Sequence, residues 1–319
     1  MKKLAALALV LAAFASAAQA QTYPTRAIRI VVPFAPGGFT DVAARILQKE
    51  LAPEIGQPIV IENKPGAGST IGTSEIAHAP PDGYNLVMIS TAHVISPHLY
   101  KQMPYDAIRD FTPVMKLAEG PYVLAVHPSL PVRSVADLIA LAKARPNVID
   151  YASSGNGSAQ HLVGALFCAT AGVQLTHGPY KGSSQAMADV LGGVVKVSFV
   201  GVPNALPNLA SGKIKALAVT TRTRYADLPK VPTLDEAGVK GYDATIWLGL
   251  LAPPGTPRDI VQKLNTTITK ILSTPDARKL MATAGVDVAT TTPEAFAALL
   301  QSELDRWGKV VKETGATVN

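Results

Sequence analysis

Two segments of this sequence combine small residues, hydroxyls and glycines in a way suited to holding an anion. They are Pro33-Phe34-Ala35-Pro36-Gly37-Gly38-Phe39-Thr40-Asp41 and Ser153-Ser154-Gly155-Asn156-Gly157-Ser158-Ala159-Gln160-His161. Each follows an apolar run that reads as a strand and precedes a pattern that reads as a helix. Glycine lets a ligand approach the backbone, the first helical turn carries N–H groups without intrahelical partners, and the helix dipole favours negative charge there. A hydrogen bond to a charged group contributes about 1.5–3 kcal/mol, so a few converging N–H donors hold a carboxylate without any arginine. Either segment alone also reads as an ordinary strand-to-helix turn in which glycine relieves crowding. Their repetition at matching positions in two domain-sized stretches favours anion loops facing each other across a cleft.

Other chemistry finds less support. Pro65-Gly66-Ala67-Gly68-Ser69-Thr70-Ile71-Gly72 places its third glycine one residue too late for G-x-G-x-x-G and lacks the Gly-Lys-Ser/Thr ending of a P-loop, so no nucleotide cofactor is expected. No G-x-S-x-G elbow occurs. His78, His93, His98, His127, His161 and His177 form no close ligand pair, which argues against a metal. His161, one turn into the second helix, could donate to a ligand or simply support its own loop. Asp41 reads as a capping or loop-ordering carboxylate rather than a general base, and Cys168 as a core thiol. Trp247 suits either core or cleft wall. Tyr180-Lys181-Gly182 could bring a phenol and an ammonium to an anion, or form a solvated turn. No catalytic constellation emerges, and the chain is expected not to be an enzyme.

The elements that would carry these loops alternate. Arg26–Phe34, Pro58–Glu62, Tyr84–Ser90, Tyr122–His127, Val148–Ser153, Val194–Val200 and Ile214–Thr220 read as strands. Asp41–Leu51, Val135–Ala144, Ser158–Ala171 and Ser183–Leu191 read as helices, and Ser134-Val135-Ala136-Asp137 is a capping box. That alternation predicts an α/β protein with mainly parallel sheets, whose ligands bind at the carboxyl ends of the strands. Thr256-Pro257, Thr274-Pro275 and Thr292-Pro293 each predict a hydroxyl N-cap followed by proline at the first helical position, so the chain should finish with three helices lying back over the first domain.

Residues 1–20 read as a cleaved signal peptide: Lys2 and Lys3, a short apolar run from Leu4 to Ala15, then Ala18-Gln19-Ala20. Loss of those two lysines lowers the formal net charge from +6 to +4, and with no basic cluster this argues against nucleic acid. A length of 319 residues allows about two domains. One cysteine allows no intrachain disulfide. The expectation is an exported protein of the periplasm.

Seven stretches in order carry a family resemblance: PFAPGGFTD (33–41), ENKPGAGSTIG (62–72), PDGYNL (81–86), SSGNGSAQHL (153–162), PYKGSSQAMADVLGG (179–193), LPKVPTLDEAG (228–238) and WLGLLAPPGTP (247–257). From about Tyr23 to Val311 the sequence resembles the Bug-type extracytoplasmic solute receptors, the binding components of tripartite tricarboxylate transporters. The resemblance implies a two-lobed, type II periplasmic-binding-protein fold, each lobe a mainly parallel sheet flanked by helices. Residues 22–123 and 244–319 would form lobe 1 and residues 124–243 lobe 2, with a hinge near Tyr122–Val123 and Asp243–Ala244. It implies a small carboxylate gripped by Ala35, Pro36, Gly37, Gly38, Phe39, Thr40 and Asp41 on one side. On the other side stand Ser153, Ser154, Gly155, Asn156, Gly157, Ser158 and His161, with Ser90, Thr91 and Ala92 lining the first lobe and Tyr180 nearby. The implied partners are integral-membrane transporter subunits, to which a monomeric receptor hands its ligand; a sensor-kinase partner is the alternative. Lys196 stands where relatives more often carry an acid, Ser96 where asparagine is common, and Phe199-Val200-Gly201 lacks a frequent aspartate. A cleft poorer in carboxylates would disfavour a ligand bearing an amino group.

Overall fold

The alternation of apolar side chains along the strands decides how the sheets are covered. In the computed structural model, which describes residues 23–315, the first half runs β1 (Ile28–Val32), α1 (Phe39–Ile55), β2 (Ile59–Asn63), α2 (Thr70–Ala77), β3 (Asn85–Ser90), α3 (Ala92–Leu99) and β4 (Thr112–Val126). The middle runs α4 (Val135–Ala144), β5 (Asp150–Ser153), α5 (Ala159–Ala171), β6 (Thr176–Pro179), α6 (Ser183–Leu191), β7 (Val197–Gly201), α7 (Val202–Ala210) and β8 (Lys215–Val219). The chain then returns through β9 (Thr245–Ala252), α8 (Arg258–Leu272), α9 (Pro275–Thr283), β10 (Asp287–Val288) and α10 (Pro293–Thr314). The expected signal peptide lies outside the described residues. Among those described, no helix is long and apolar enough to cross a membrane.

In β1, Ile28, Ile30 and Val32 face one apolar cluster while Val31 faces another; β3 divides Leu86 and Met88 from Val87 and Ile89 in the same way. A strand apolar on both faces needs a layer on each. Leu47 and Leu51 of α1, Leu264 and Ile268 of α8, and Met281 of α9 cover one side; Val94 and Ile95 of α3 with Phe296, Leu300 and Trp307 of α10 cover the other. The second lobe repeats this arrangement. Leu124 and Val126 of β4 pack with Leu138 of α4 and Phe167 of α5, whereas Val123 and Ala125 pack with Met187 and Val190 of α6 and Ala205 of α7.

The strand order is β2-β1-β3-β9-β4-β7-β5-β6, with β8 and β10 also paired to β4. The outer pairs β1–β2, β1–β3, β5–β6 and β5–β7 are parallel, while β4 and β9 run antiparallel to their neighbours. Strand β4 is the shared element. Its residues Thr112–Pro121 pair with β9, and from Tyr122 onward it pairs with β7 and β8. At that change of partner, the buried Thr220 Oγ1 accepts from Tyr122 N at 2.9 Å and donates to Ala244 O at 2.8 Å.

Two of the three proline-led helices begin as the sequence indicates: Thr274 and Thr292 accept from the N–H groups of Ala277 and Ala295. The expectation at Thr256 is corrected. Pro257 is the N-cap, and the Thr256 hydroxyl donates to Pro253 O at 2.8 Å within the preceding turn. The closing helix also reaches further than expected, because α10 packs on α5 of the second lobe as well as on α3 and β4.

Candidate functional site

A cleft of about 690 Å³ runs between the lobes at the carboxyl ends of β1, β3, β5 and β7. Its first wall is the turn after β1, contributing Ala35, Pro36, Gly37, Gly38, Phe39 and Thr40. Asp41 stands behind this turn. Its Oδ2 accepts from Gly37 N at 2.9 Å and Arg45 Nε at 3.0 Å, and its Oδ1 from Asn63 Nδ2 at 2.8 Å. Burial alone would raise the Asp41 pKa, but hydrogen bonds from Arg45, Gly37 and Asn63 outweigh it and hold the carboxyl below its ordinary value. Asp41 therefore stays ionised and ties the loop. Gly37, at φ 81°, supplies the left-handed turn that brings its N–H back to that carboxylate.

The facing wall is the turn after β5, contributing Ser154, Gly155, Asn156 and Ser158, with Tyr180 beside it. Gly155 is held at φ 129°, and a methyl group there would lie 2.9 Å from Tyr180 O. Side chains around it fix this loop, and one of them, Gln160, also lines the cleft. Gln160 accepts from Ser154 N at 2.9 Å and donates to Phe199 O at 2.7 Å. His161 Nδ1 accepts from Gly157 N at 3.3 Å, and the His161 ring stacks on His177 with centroids 3.8 Å apart. His177 Nε2 lies 2.6 Å from Ser153 Oγ, which also accepts from Gly155 N at 3.2 Å. Burial lowers the His161 pKa to about 4; burial, and then the neighbouring ring, lower that of His177 to about 3. Both rings are neutral near neutrality, so His161 Nδ1 is free to accept.

Of the residues indicated by sequence, Asp41, Thr91, Ala92, Ser153, Gly157 and His161 do not line the cleft; Ser90 and Tyr180 do. Thr91 Oγ1 instead accepts from Trp247 N at 3.1 Å. Trp247 is core, 3% exposed, with its indole donating to Glu303. The Tyr180 hydroxyl is turned to Asp189 at 2.7 Å. Burial raises the Cys168 pKa to about 11, as suits a packed thiol.

Two further walls escaped the sequence reading, and a third extends the Tyr180-Lys181-Gly182 turn that it offered to an anion. The glycine-rich segment from Pro65 to Ser69, set aside as a nucleotide loop, lines the cleft together with Tyr100 and Tyr122. In it Ala67 (φ 43°) and Ser69 (φ 83°) adopt left-handed backbone without being glycine. That costs about 1–3 kcal/mol each and persists only where the surroundings enforce it. The turn from Lys181 to Gln185 and the start of α7 at Gly201 complete the site. The signal available for these was the recurrence of glycine just before a helix, at Gly182 and Gly201.

The donor set has a clear polarity. Helices α1, α6 and α7 have Gly38, Gly182 and Gly201 as N-caps, with no side chain capping their first N–H groups, and all three glycines line the cleft. Helices α4, α9 and α10, which do not open on it, are capped by Ser134, Thr274 and Thr292; α5, which does open on it, is capped by Ser158, whose hydroxyl accepts from His161 N. Thr40, 1% exposed in the first turn of α1, has a buried Oγ1 without a partner. Among the lining residues Lys181 is charged and none is acidic. Lys196, where an acid was expected from relatives, is exposed and outside the cleft. The arrangement offers donors to an anion and no carboxylate to a cation.

Residues 43–316 match the family described as the tripartite tricarboxylate transporter family receptor. The chain belongs to this family. Among curated relatives, the protein BugT of Bordetella pertussis is 38% identical over 307 residues, 96% of this chain and 94% of that protein. Among solved structures, Rpa4515 of R. palustris, determined with adipate, shares 39% identity at a TM-score of 0.88, covering 93% of this chain and 100% of that one. MatC (Rpa3494) of Rhodopseudomonas palustris, determined with bound malate, shares 35% identity at a TM-score of 0.84, covering 91% and 100%. The Bug-type resemblance and the two-lobed solute-binding fold are thus borne out. The family and its solved members are solute-binding receptors rather than enzymes.

Proposed function

We propose that this receptor captures a small organic carboxylate in the periplasm, in the cleft between its lobes, and delivers it to membrane transporter subunits. The observation that carries the reading is the donor set: glycine-capped helix starts from both lobes and an unpartnered Thr40 hydroxyl meet in one cleft without an acidic side chain. Uncapped helix N-termini attract anions, and the adipate and malate carried by two solved relatives are carboxylates. The proposed grip is made by Ala35–Thr40 on one side and by Ser154–Asn156 with Ser158 on the other, while Asp41, Gln160, His161 and His177 hold the loops in shape. The proposed lobes are 22–123 with 244–319, and 124–243, closing about the two crossing strands; export uses the leader ending at Ala20.

A thermal-shift screen of mono-, di- and tricarboxylates tests the reading. A ligand present at 100 times its Kd should stabilise the protein by about 2.7 kcal/mol. Absence of stabilisation by every acid in the panel, together with measurable turnover of any of them, overturns it.

A further inference from the structure

A second cavity, of about 410 Å³, opens between α5 of the second lobe, the segment leading into β6 and the last turn of α10. It shares no lining residue with the interlobe cleft. One stripe of α5 faces it, at the spacing of a helix face: His161, Ala165, Cys168 and Ala169. Alanine at 165 and 169 leaves the space that larger side chains would fill, and with Val173 and Leu175 gives the cavity apolar sides.

Its inner end holds one free polar group. His161 Nδ1 accepts from Gly157 N, so in the neutral ring the proton is on Nε2. That Nε2–H has no partner among the described residues, and it is not among the buried atoms sealed from solvent. His161 is 5% exposed and lines this cavity rather than the cleft, so the donor is offered here. The neighbouring polar groups are spent or uncharged. The Tyr151 hydroxyl donates to His161 O at 3.1 Å, and the Cys168 thiol, its pKa raised by burial, keeps its proton. A single N–H in an apolar surround fixes an acceptor oxygen and gives it an orientation.

The outer end has the opposite character. Asn147 and Gln174 at the exposed rim satisfy each other, Nδ2 to Oε1 at 3.0 Å. Glu313 of α10 is exposed there and makes no ion pair among the described residues. No lysine or arginine lines the cavity, so an anion entering it meets a like charge and a cation meets an unpaired carboxylate.

We propose that this cavity is a second binding site, for a small acylated amine. The acyl oxygen accepts from His161 Nε2, a short apolar body lies against α5 and Leu175, and an ammonium at the outer end stands beside Glu313. Because the same ring holds Gly157, an occupant reaches the loop after β5 from behind. The site does not depend on which solute the interlobe cleft takes.

NMR of the histidine rings and backbone amides, with calorimetry, tests the proposal. The probes are N-acetylputrescine, its uncharged counterpart N-butylacetamide, butylammonium and valerate. N-acetylputrescine should shift the His161 ring and Gly157 amide signals together. Butylammonium, which lacks the acceptor, and valerate, whose charge has the wrong sign, should not shift the His161 ring. N-butylacetamide should bind about two- to fivefold more weakly than N-acetylputrescine, as an exposed ion pair allows, and Glu313→Gln should abolish that difference. Ala169→Phe, at an exposed helix position, should lower affinity for both amides at least about tenfold while leaving the urea midpoint unchanged. No shift of the His161 ring by either amide, equal shifts from valerate or butylammonium, or undiminished binding in Ala169→Phe overturns the site.

Discussion

At the scale of single residues, the site is described by what its polar atoms lack. Thr40 Oγ1 is buried in the first turn of α1 with no partner, an arrangement that costs about 1–3 kcal/mol in desolvation unless something else meets it. Thr40→Val keeps the shape and removes the orphan. The ligand-free protein should therefore be as stable as wild type or slightly more so, while carboxylate affinity falls about tenfold. Urea unfolding and calorimetry on the same preparation read the two effects separately; loss of stability with unchanged affinity would assign Thr40 to the fold and not to the ligand. The two jaw glycines differ in a related way. Around Gly37 nothing lies within 4 Å of an added methyl group, so its requirement is conformational, whereas Gly155 also faces Tyr180 O at 2.9 Å.

At the scale of elements, each strand-to-helix turn needs a device that keeps glycine-rich backbone in one shape. The loop after β1 uses an ionised carboxylate; the loop after β5 uses two stacked neutral imidazoles. These respond to acid differently. Unfolded, each imidazole titrates near 6.5; folded, burial brings His161 to about 4 and His177 to about 3. Between about pH 6.5 and pH 4 the unfolded chain thus binds more protons than the folded one, so stability falls as pH falls through that window and not above it. Denaturation midpoints at about pH 7.5, 5.5 and 4.5 should decline, and His177→Gln should flatten the decline. The lowered Asp41, Glu62 and Glu75 contribute below their ordinary carboxylate values, so their losses begin where those of the histidines are largely complete. An unchanged slope in His177→Gln would remove the imidazole pair from this account.

At the scale of the whole molecule, two lobes are joined through β4 and β9, and Thr220 clasps both crossings by its bonds to Tyr122 N and Ala244 O. Thr220→Val leaves both groups buried and unpaired, which should cost about 2–4 kcal/mol. The proposed hinge makes a second demand: small-angle scattering should show the radius of gyration falling when a bound carboxylate closes the lobes. Thr220→Val should widen the ligand-free ensemble, while an unchanged radius on saturation in wild type would argue against closure about these strands. Across the back, α10 touches both lobes, and Arg306 donates to Asp243 O beside the crossing, so any closure must pivot against that helix.

Much of this was legible before folding. Period-two runs, hydroxyl N-caps and glycine just before a helix are local patterns, so the α/β class, most of the strands, the helix starts at Thr274 and Thr292 and both jaw turns follow from neighbouring residues alone. The first two-thirds of β4 was missed because prolines and charged residues interrupt its pattern, and β9 because an unbroken apolar run shows no alternation; partners far away in the chain hold both extended. His161 shows the same limit. Its position one turn into a helix allows a ligand contact or a supporting role, and the choice is made by His177 and Gly157. The segment from Pro65 to Ser69 is the sharpest case: its glycine spacing excludes a nucleotide loop, yet only the packing of Tyr100, Ser96 and Thr73 around it makes it a wall of the cleft. The sequence alone determined which backbone could bind an anion, because conformational freedom is local. Only the tertiary structure decided which donors remain unpaired, because hydrogen-bond satisfaction depends on groups brought together from distant parts of the chain.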